Sequence, residues 1–192
     1  MKSNFLVIFD LDGVLIDSRE LHYDALNDAL RKVGEEFVIT REEHLSKYDG
    51  LNTTRKLKML TEQKGLPVSA YDQVWQDKQE STFKLVRGFC KEYLLQTIFR
   101  QVKARGYKIA VASNAIRETV KLSLLSIGVM DEVDYFVSNE DVTRAKPYPE
   151  MYWKCMTALN VLPKNTIIVE DSHIGRQAAL DSGAHLLAVE NA

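Results

Sequence analysis

The sequence predicts an α/β protein: a parallel β-sheet core wrapped by helices, with a small all-helical segment inserted after the first strand. Three observations carry this reading. Five short apolar runs recur along the chain, each bounded by polar residues or turn formers. Helical patterns separate the later ones, which marks buried parallel strands of an α/β sheet. The stretch 18–86 carries no strand pattern and four helix-like segments instead.

The first strand is read at Phe5–Phe9, where "FLVIF" ends on Asp10 and Asp12. The helical stretch follows. "SRELHYDALNDALRKVG" places Leu21, Ala25, Leu26, Ala29, Leu30 and Val33 at helical spacing. "TREEHLSKY" opens with Thr40 and has Glu43 three residues on, a capping box. "TTRKLKMLTEQKG" ends at Gly65, and "SAYDQVWQDKQESTFKLV" starts at Ser69. The boundaries expected are therefore 18–86 for the helical unit, with 1–17 and 87–192 forming the α/β core. In the core, "KEYLLQTIFRQVKARG" puts Tyr93, Leu94, Ile98, Phe99 and Val102 on one stripe and stops at Gly106. The remaining strands are "YKIAVAS" (107–113), "VDYFVS" (133–138), "TIIVED" (166–171) and "HLLAVE" (185–190). Between them lie helices in "IRETVKLSLLSIG", in "PEMYWKCMTAL" with Pro149 in its first turn, and in "HIGRQAALDSG". Trp75 and Trp153 fall on helical stripes and are expected in the core, and His44 and His185 at packing or surface positions.

Bulk properties narrow the function. A length of 192 residues suits one core domain with a small insert. Hydrophobic residues make up 45% and charged ones 27%, the mix of a soluble globular chain. A net charge of −2 gives no basic footprint for nucleic acid or an anionic membrane. Phe5–Phe9 is too short for a signal sequence and no run spans a bilayer. Cys90 and Cys155 stand in no motif spacing, which fits a reducing, cytoplasmic setting.

The chemistry gathers at strand ends. Asp10 and Asp12 can face one site if the chain runs on extended through Leu11. Two carboxylates about 5 Å apart repel by roughly 1 to 3 kcal/mol. A metal cation removes that cost, and Mg²⁺ prefers carboxylate oxygens. Ligands of an open parallel sheet bind at the carboxyl ends of its strands. The second strand ends in Ser113-Asn114 ahead of a helix, where free N–H groups favour phosphate. The fourth ends in Glu170-Asp171, and Lys146 precedes Pro147 on a loop. Singly, Ser113 reads as a helix cap, Glu170 and Asp171 as an acidic helix start, and Lys146 as a surface lysine. Together they suit a site holding a divalent metal and a phosphoryl group. His173 reads as structural, at a helix start.

The ensemble resembles the haloacid dehalogenase-like hydrolase superfamily: "DLDGV" at 10–14, "SN" at 113–114, Lys146 in "AKPYPEMY" and "VEDSHIGRQAA" at 169–179, in that order over essentially the whole chain. The helical insert resembles the cap of the phosphatase and β-phosphoglucomutase branch, on a Rossmann-like core. The resemblance implies that Asp10 is the nucleophile forming an aspartyl-phosphate and Asp12 the general acid and base. It implies Mg²⁺ held by Asp10, the Asp12 carbonyl and Asp171, with Glu170 in or beside the coordination sphere. Ser113, Asn114 and Lys146 then bind the phosphoryl group, and Gly13 lets the chain turn after the acids. His22 resembles a histidine found near the cap hinge of both mutases and phosphatases. Where the mutases place a cap arginine that grips a second phosphate, this chain has Thr53, with Arg55 the nearest arginine. Members of the branch usually continue past the fifth strand, whereas "VENA" ends here, so a less covered edge or a partner is expected.

The function expected is a Mg²⁺-dependent phosphohydrolase of a small phosphorylated metabolite, a phosphosugar first. It is expected to be a monomer or weak homo-oligomer with no nucleic-acid or membrane partner. A β-phosphoglucomutase-like isomerase is the alternative. A phospho-accepting receiver, or a binding module without catalysis, ranks lower: receivers lack a large insert after the first strand and carry their aspartate on a later one.

Overall fold

The computed structural model describes residues 4–88 and 93–190; Cys90 lies outside them. The five apolar runs form β1 (Leu6–Phe9), β2 (Lys108–Ala112), β3 (Tyr135–Val137), β4 (Thr166–Glu170) and β5 (His185–Ala188). All pairings are parallel, in the order β3-β2-β1-β4-β5. The central strand β1 sets Phe9 opposite both Val111 and Val169. The chain moves outward from β1 through β2 to β3, then crosses to β4 and β5 on the other side. That reversal opens a crevice at the carboxyl end of β1.

The period-two alternation of β1 explains its unbroken apolar run. Leu6 and Ile8 join one cluster with Ala110, Ile168, Met151 and Tyr152, covered by α7 (Glu150–Ala158) and α8 (His173–Asp181). Val7 and Phe9 face a second cluster with Val111, Phe99, Val120 and Leu124, under α5 (Tyr93–Ala104) and α6 (Arg117–Ser126). Full burial of a side chain such as Phe99 contributes roughly 1.5 to 3 kcal/mol. The expected stripe on α5 is displaced. Tyr93, Leu94 and Ile98 are exposed, and Leu95, Gln96, Phe99 and Val102 face the sheet. Two apolar stripes overlap in this segment, and the sheet takes the one built on Phe99.

Between β1 and α5 lie α1 (Arg19–Arg31), one turn α2 (Arg41–Glu43), α3 (Thr53–Lys64) and α4 (Tyr71–Val86). They enclose a third cluster of their own, including Leu26, Leu30, Ile39, Tyr48, Leu57, Leu60 and Val74. The Thr40 side chain accepts from Glu43 N–H, and the Thr40 N–H donates to Glu43. After α2 the backbone widens through His44–Tyr48. His44 is buried edge-on to Tyr23. Trp75 is partly buried on the same cluster, but Trp153 is 45% exposed, its indole N–H donating to the Ser182 carbonyl. Its helical stripe lies at the rim of the core. His173 and His185 are exposed. No helix among the described residues is long and apolar enough to cross a membrane.

Candidate active site

The carboxyl end of β1 is built by a tight reversal. The Asp10 N–H still donates to Val169, extending the strand by one residue. Leu15 and Ile16 N–H groups then both return to the Leu11 carbonyl, and Gly13 N–H donates to Ile16. Gly13 sits at φ 86°, a conformation a side chain resists. The reversal separates the two aspartates. Both line one cavity, but Asp12 turns away from Asp10. Its carboxylate accepts from Ser18 Oγ, from His22 Nε2 at 3.0 Å and from Ser113 Oγ at 3.2 Å.

Asp10 instead meets Lys146. The Lys146 ammonium lies 2.6 Å from Asp10 Oδ1 and 2.6 Å from Glu170 Oε1, and stands over the Tyr152 ring. Glu170 is fully buried and saturated. Its Oε1 also accepts from Tyr152 OH at 3.2 Å, and Oε2 accepts from Ser172 N–H and Oγ. Gly175 makes this possible: a Cβ there would lie 1.8 Å from Glu170 Oε1. Asn114 fastens the lysine loop, accepting from Lys146 N–H and donating to the Lys146 carbonyl. The same Nδ2 donates to Gly50 at 2.8 Å, joining the core to the loop ahead of α3. Ser113 caps the turn before α6, accepting from Ala115 N–H while donating to Asp12; α6 itself begins only at Arg117.

Oxygens of Asp10, Glu170 and Asp171 can all lie within 4.8 Å of one another, and all three residues are buried. The Asp12 carboxylate is not in that group. Burial, and next the charge of Glu170, push Asp10 well above the usual carboxylate range despite Lys146. Three buried acids against one ammonium leave excess negative charge in a poorly solvated place, so this all-oxygen donor set fits a hard divalent cation. Asp12 behaves differently. Burial works to raise it, but His22 and the hydrogen bonds from His22, Ser18 and Ser113 outweigh burial and hold it far below the usual range. Burial lowers the basicity of His22, against the charge of Asp12 and its hydrogen bond, which raise it.

The opposite wall comes from the helices. Thr53 lines the cavity, whereas Arg55 lies in an adjoining open groove with Lys58 and Glu140, which shares Asn52, Thr54 and Asn139 with the cavity. Two residues missed from the sequence take its place. Lys56 on α3 and Lys78 on α4 are both buried and both line the cavity. Burial lowers Lys56 to about 8; burial and then the charge of Lys56 lower Lys78 to about 7. A signal was present. Lys56 shares the buried stripe Thr53, Leu57, Leu60, and Lys78 the stripe Val74, Thr82, Val86. Tyr152 and Gly175 were also missed. Nothing local in the sequence says that they touch Glu170.

The chain is similar to known proteins over most of its length. A sequence model of the haloacid dehalogenase-like hydrolases matches residues 7–189. The chain is 27% identical over 186 residues to a phosphorylated carbohydrates phosphatase of Thermotoga maritima, covering 92% of this chain and 81% of that protein. It is 27% identical over 191 residues to the pyrophosphatase PpaX of Bacillus cereus, covering 98% and 84%. Among solved structures, a β-phosphoglucomutase of Clostridium difficile superposes with a TM-score of 0.85 at 24% identity, covering 100% of this chain and 86% of that one.

Proposed function

The chain belongs to the haloacid dehalogenase-like hydrolase family, and on that premise we propose that it hydrolyses small phosphorylated metabolites, phosphosugars foremost, through an aspartyl-phosphate on Asp10. The observation that carries this reading is Asp10 itself: a buried carboxylate at the end of the central strand, beside Lys146 and two further acids, lining the cavity. The likeness to a phosphatase of phosphorylated carbohydrates supports the substrate class.

In this reading Asp10 attacks phosphorus, the bond to the leaving oxygen breaks, and that oxygen takes a proton from Asp12. Water then attacks the aspartyl-phosphate, the bond to Asp10 breaks, and Asp12 takes the proton. The hydrogen bonds from Ser18, His22 and Ser113 keep Asp12 ionised, the form that accepts a proton in the second half. An arriving phosphoryl group beside Ser113 adds negative charge and favours its protonation for the first half. Mg²⁺ held by Asp10, Asp171 and the Asp12 carbonyl would neutralise the approach of one anion to another. Glu170, saturated by Lys146, Tyr152 and Ser172, acts as the post that aims Lys146. Residues 18–86 serve as a cap on a core of 1–17 and 87–192, and Asn114 to Gly50 is the contact of the closed form. Cysteine usage keeps our reading of the setting cytoplasmic.

A screen of phosphorylated metabolites tests this. Phosphate release that needs Mg²⁺, stops with chelator and returns on adding the ion is expected; full release in excess chelator would contradict it. The isomerase reading keeps one observation in its favour, since Lys56 and Lys78 supply a cationic wall that Thr53 does not. Conversion of β-glucose 1-phosphate to glucose 6-phosphate, with little free phosphate, would select it.

A further inference from the structure

The two faces of the sheet are covered unevenly. On one face α7 and α8 close over the strands. On the other, α5 and α6 cover the side of β1, β2 and β3. Val7 pairs with Ile167, and Val169 with Leu187, so Ile167 and Leu187 point to this second face. They are 41% and 53% exposed, and no described helix lies over them. One flank of α5 is tied toward β3: Gln96 donates to the Ile127 carbonyl, Arg100 pairs with Glu132 and Lys103 with Asp134. Leu94 and Ile98, four residues apart, stand on the opposite flank and therefore lie toward β4 and β5. They are 70% and 38% exposed. The bare strands and this flank meet in a step beside α5. Two strands span about 10 Å, and a helix is about 10 Å across.

We propose that this step is the interface of a two-fold dimer, in which α5 of each copy fills the step of the other. The molecule carries both halves of the contact: a sheet face short of one helix, and a helix with an apolar flank short of a neighbour. A two-fold axis along the strands brings each to the other, as a self-complementary interface requires. Leu94 and Ile98 of both copies then share one core with Ile167 and Leu187 of both. With the exposed Phe5 at the amino end of β1, the four make a patch of about 400 Å², the size that marks an interaction site on a monomer. Two copies meeting there cover about 800 Å² of apolar surface. At the usual apolar share of about 60%, the whole interface is roughly 1,300 Å², within the range of stable specific pairs.

Sedimentation velocity on the 192-residue protein tests this without any substrate. Half of the chains should be dimeric by about 10 μM, at twice the chain mass. Ile98→Lys and Leu187→Lys, each made alone, should weaken the pair about 100-fold or more. Leu125→Lys on α6, where Leu125 is also half exposed but off the step, should leave it unchanged. Circular dichroism checks the fold of each variant. A milder variant covers the case in which the lysines prevent folding. Ile98→Cys, in a Cys90→Ser background, should be joined to its partner copy by a short bismaleimide linker, and Leu125→Cys should not. A wild-type protein still monomeric at about 100 μM would overturn the proposal and leave the step to a different protein. A dimer that survives both lysine substitutions, or one that Leu125→Cys links as well as Ile98→Cys, would place the contact elsewhere and overturn it too.

Discussion

Lys146 in the core and Lys56 and Lys78 in the helical wall are exposed by 5, 4 and 6%, yet their shared burial has opposite outcomes. For Lys146, burial works to lower its basicity, but Asp10 and Glu170 overcome it and the ammonium is held well above its usual range. For Lys56 and Lys78 no carboxylate closes, and burial wins. One wall is internally satisfied before any ligand arrives, and the other is not. A completed ion cluster holds its members in place, whereas an open pair of buried ammonium groups costs stability until something arrives to balance it.

The largest effect expected is on the satisfied wall. Asp10→Asn removes the candidate nucleophile and one of the two acids that hold Lys146. Turnover should fall about ten-thousandfold or more while the fold persists. Retention of a tenth of wild-type activity in the purified variant would remove Asp10 from the chemistry.

Lys146→Met leaves two buried carboxylates without their cation. It should destabilise the protein by about 3 to 5 kcal/mol in denaturant unfolding. An unchanged midpoint would mean that the cluster is not closed in solution, and the contrast between the walls would fail.

Gly175→Ala adds a methyl group where Glu170 already lies. Glu170 must swing, and Lys146 with it. Activity should drop about 100-fold, with a smaller change in stability. Full activity would show that Glu170 does not aim the lysine.

The smallest effect has the opposite sign. Lys78→Met removes an unpaired buried charge and should stabilise the free protein by about 1 to 3 kcal/mol at pH 6. Because its folded pKa is about 7, and that of Lys56 about 8, against 10.5 ordinarily, the unfolded chain binds more protons from about pH 7 to 10.5. The cost is therefore complete below pH 7, and stability should rise with pH across that window. The rise should vanish when both lysines are Met, while Lys146 stays charged throughout. A flat profile in the wild-type protein would mean that the helical wall is open to water.

This contrast also sorts what the sequence revealed. Asp10, Asp12, Ser113, Glu170 and Asp171 were legible because each closes an apolar run, and strand ends of a parallel sheet converge. Lys146 was legible through its place among them. That Asp12 would turn from Asp10 toward His22 was not legible, because the reversal at Gly13 decides it. Arg55 is the arginine nearest Thr53 in the sequence, but one residue along α3 is about 100° around the helix, and Lys56 faces the cavity instead. Tyr152 and Gly175 needed the packing of α7 and α8 against the sheet before their contact with Glu170 existed. The α5 stripe was misplaced because two apolar faces overlap there and only the sheet chooses between them.

The central claim is that phosphate leaves by way of Asp10. Asp12→Asn loses the acid that protonates the leaving oxygen, which slows formation of the covalent species, and the base that clears it, which slows its hydrolysis more, so over a long incubation the intermediate should accumulate. The Asp12→Asn protein, mixed with Mg²⁺ and a phosphosugar that the wild-type enzyme hydrolyses, would be quenched in acid, digested and weighed by mass spectrometry. The account predicts one added phosphoryl group on the peptide containing Asp10, lost on treatment with hydroxylamine. Phosphate release by the wild-type enzyme with no labelled peptide, together with persistent release by the Asp10→Asn protein, would contradict it.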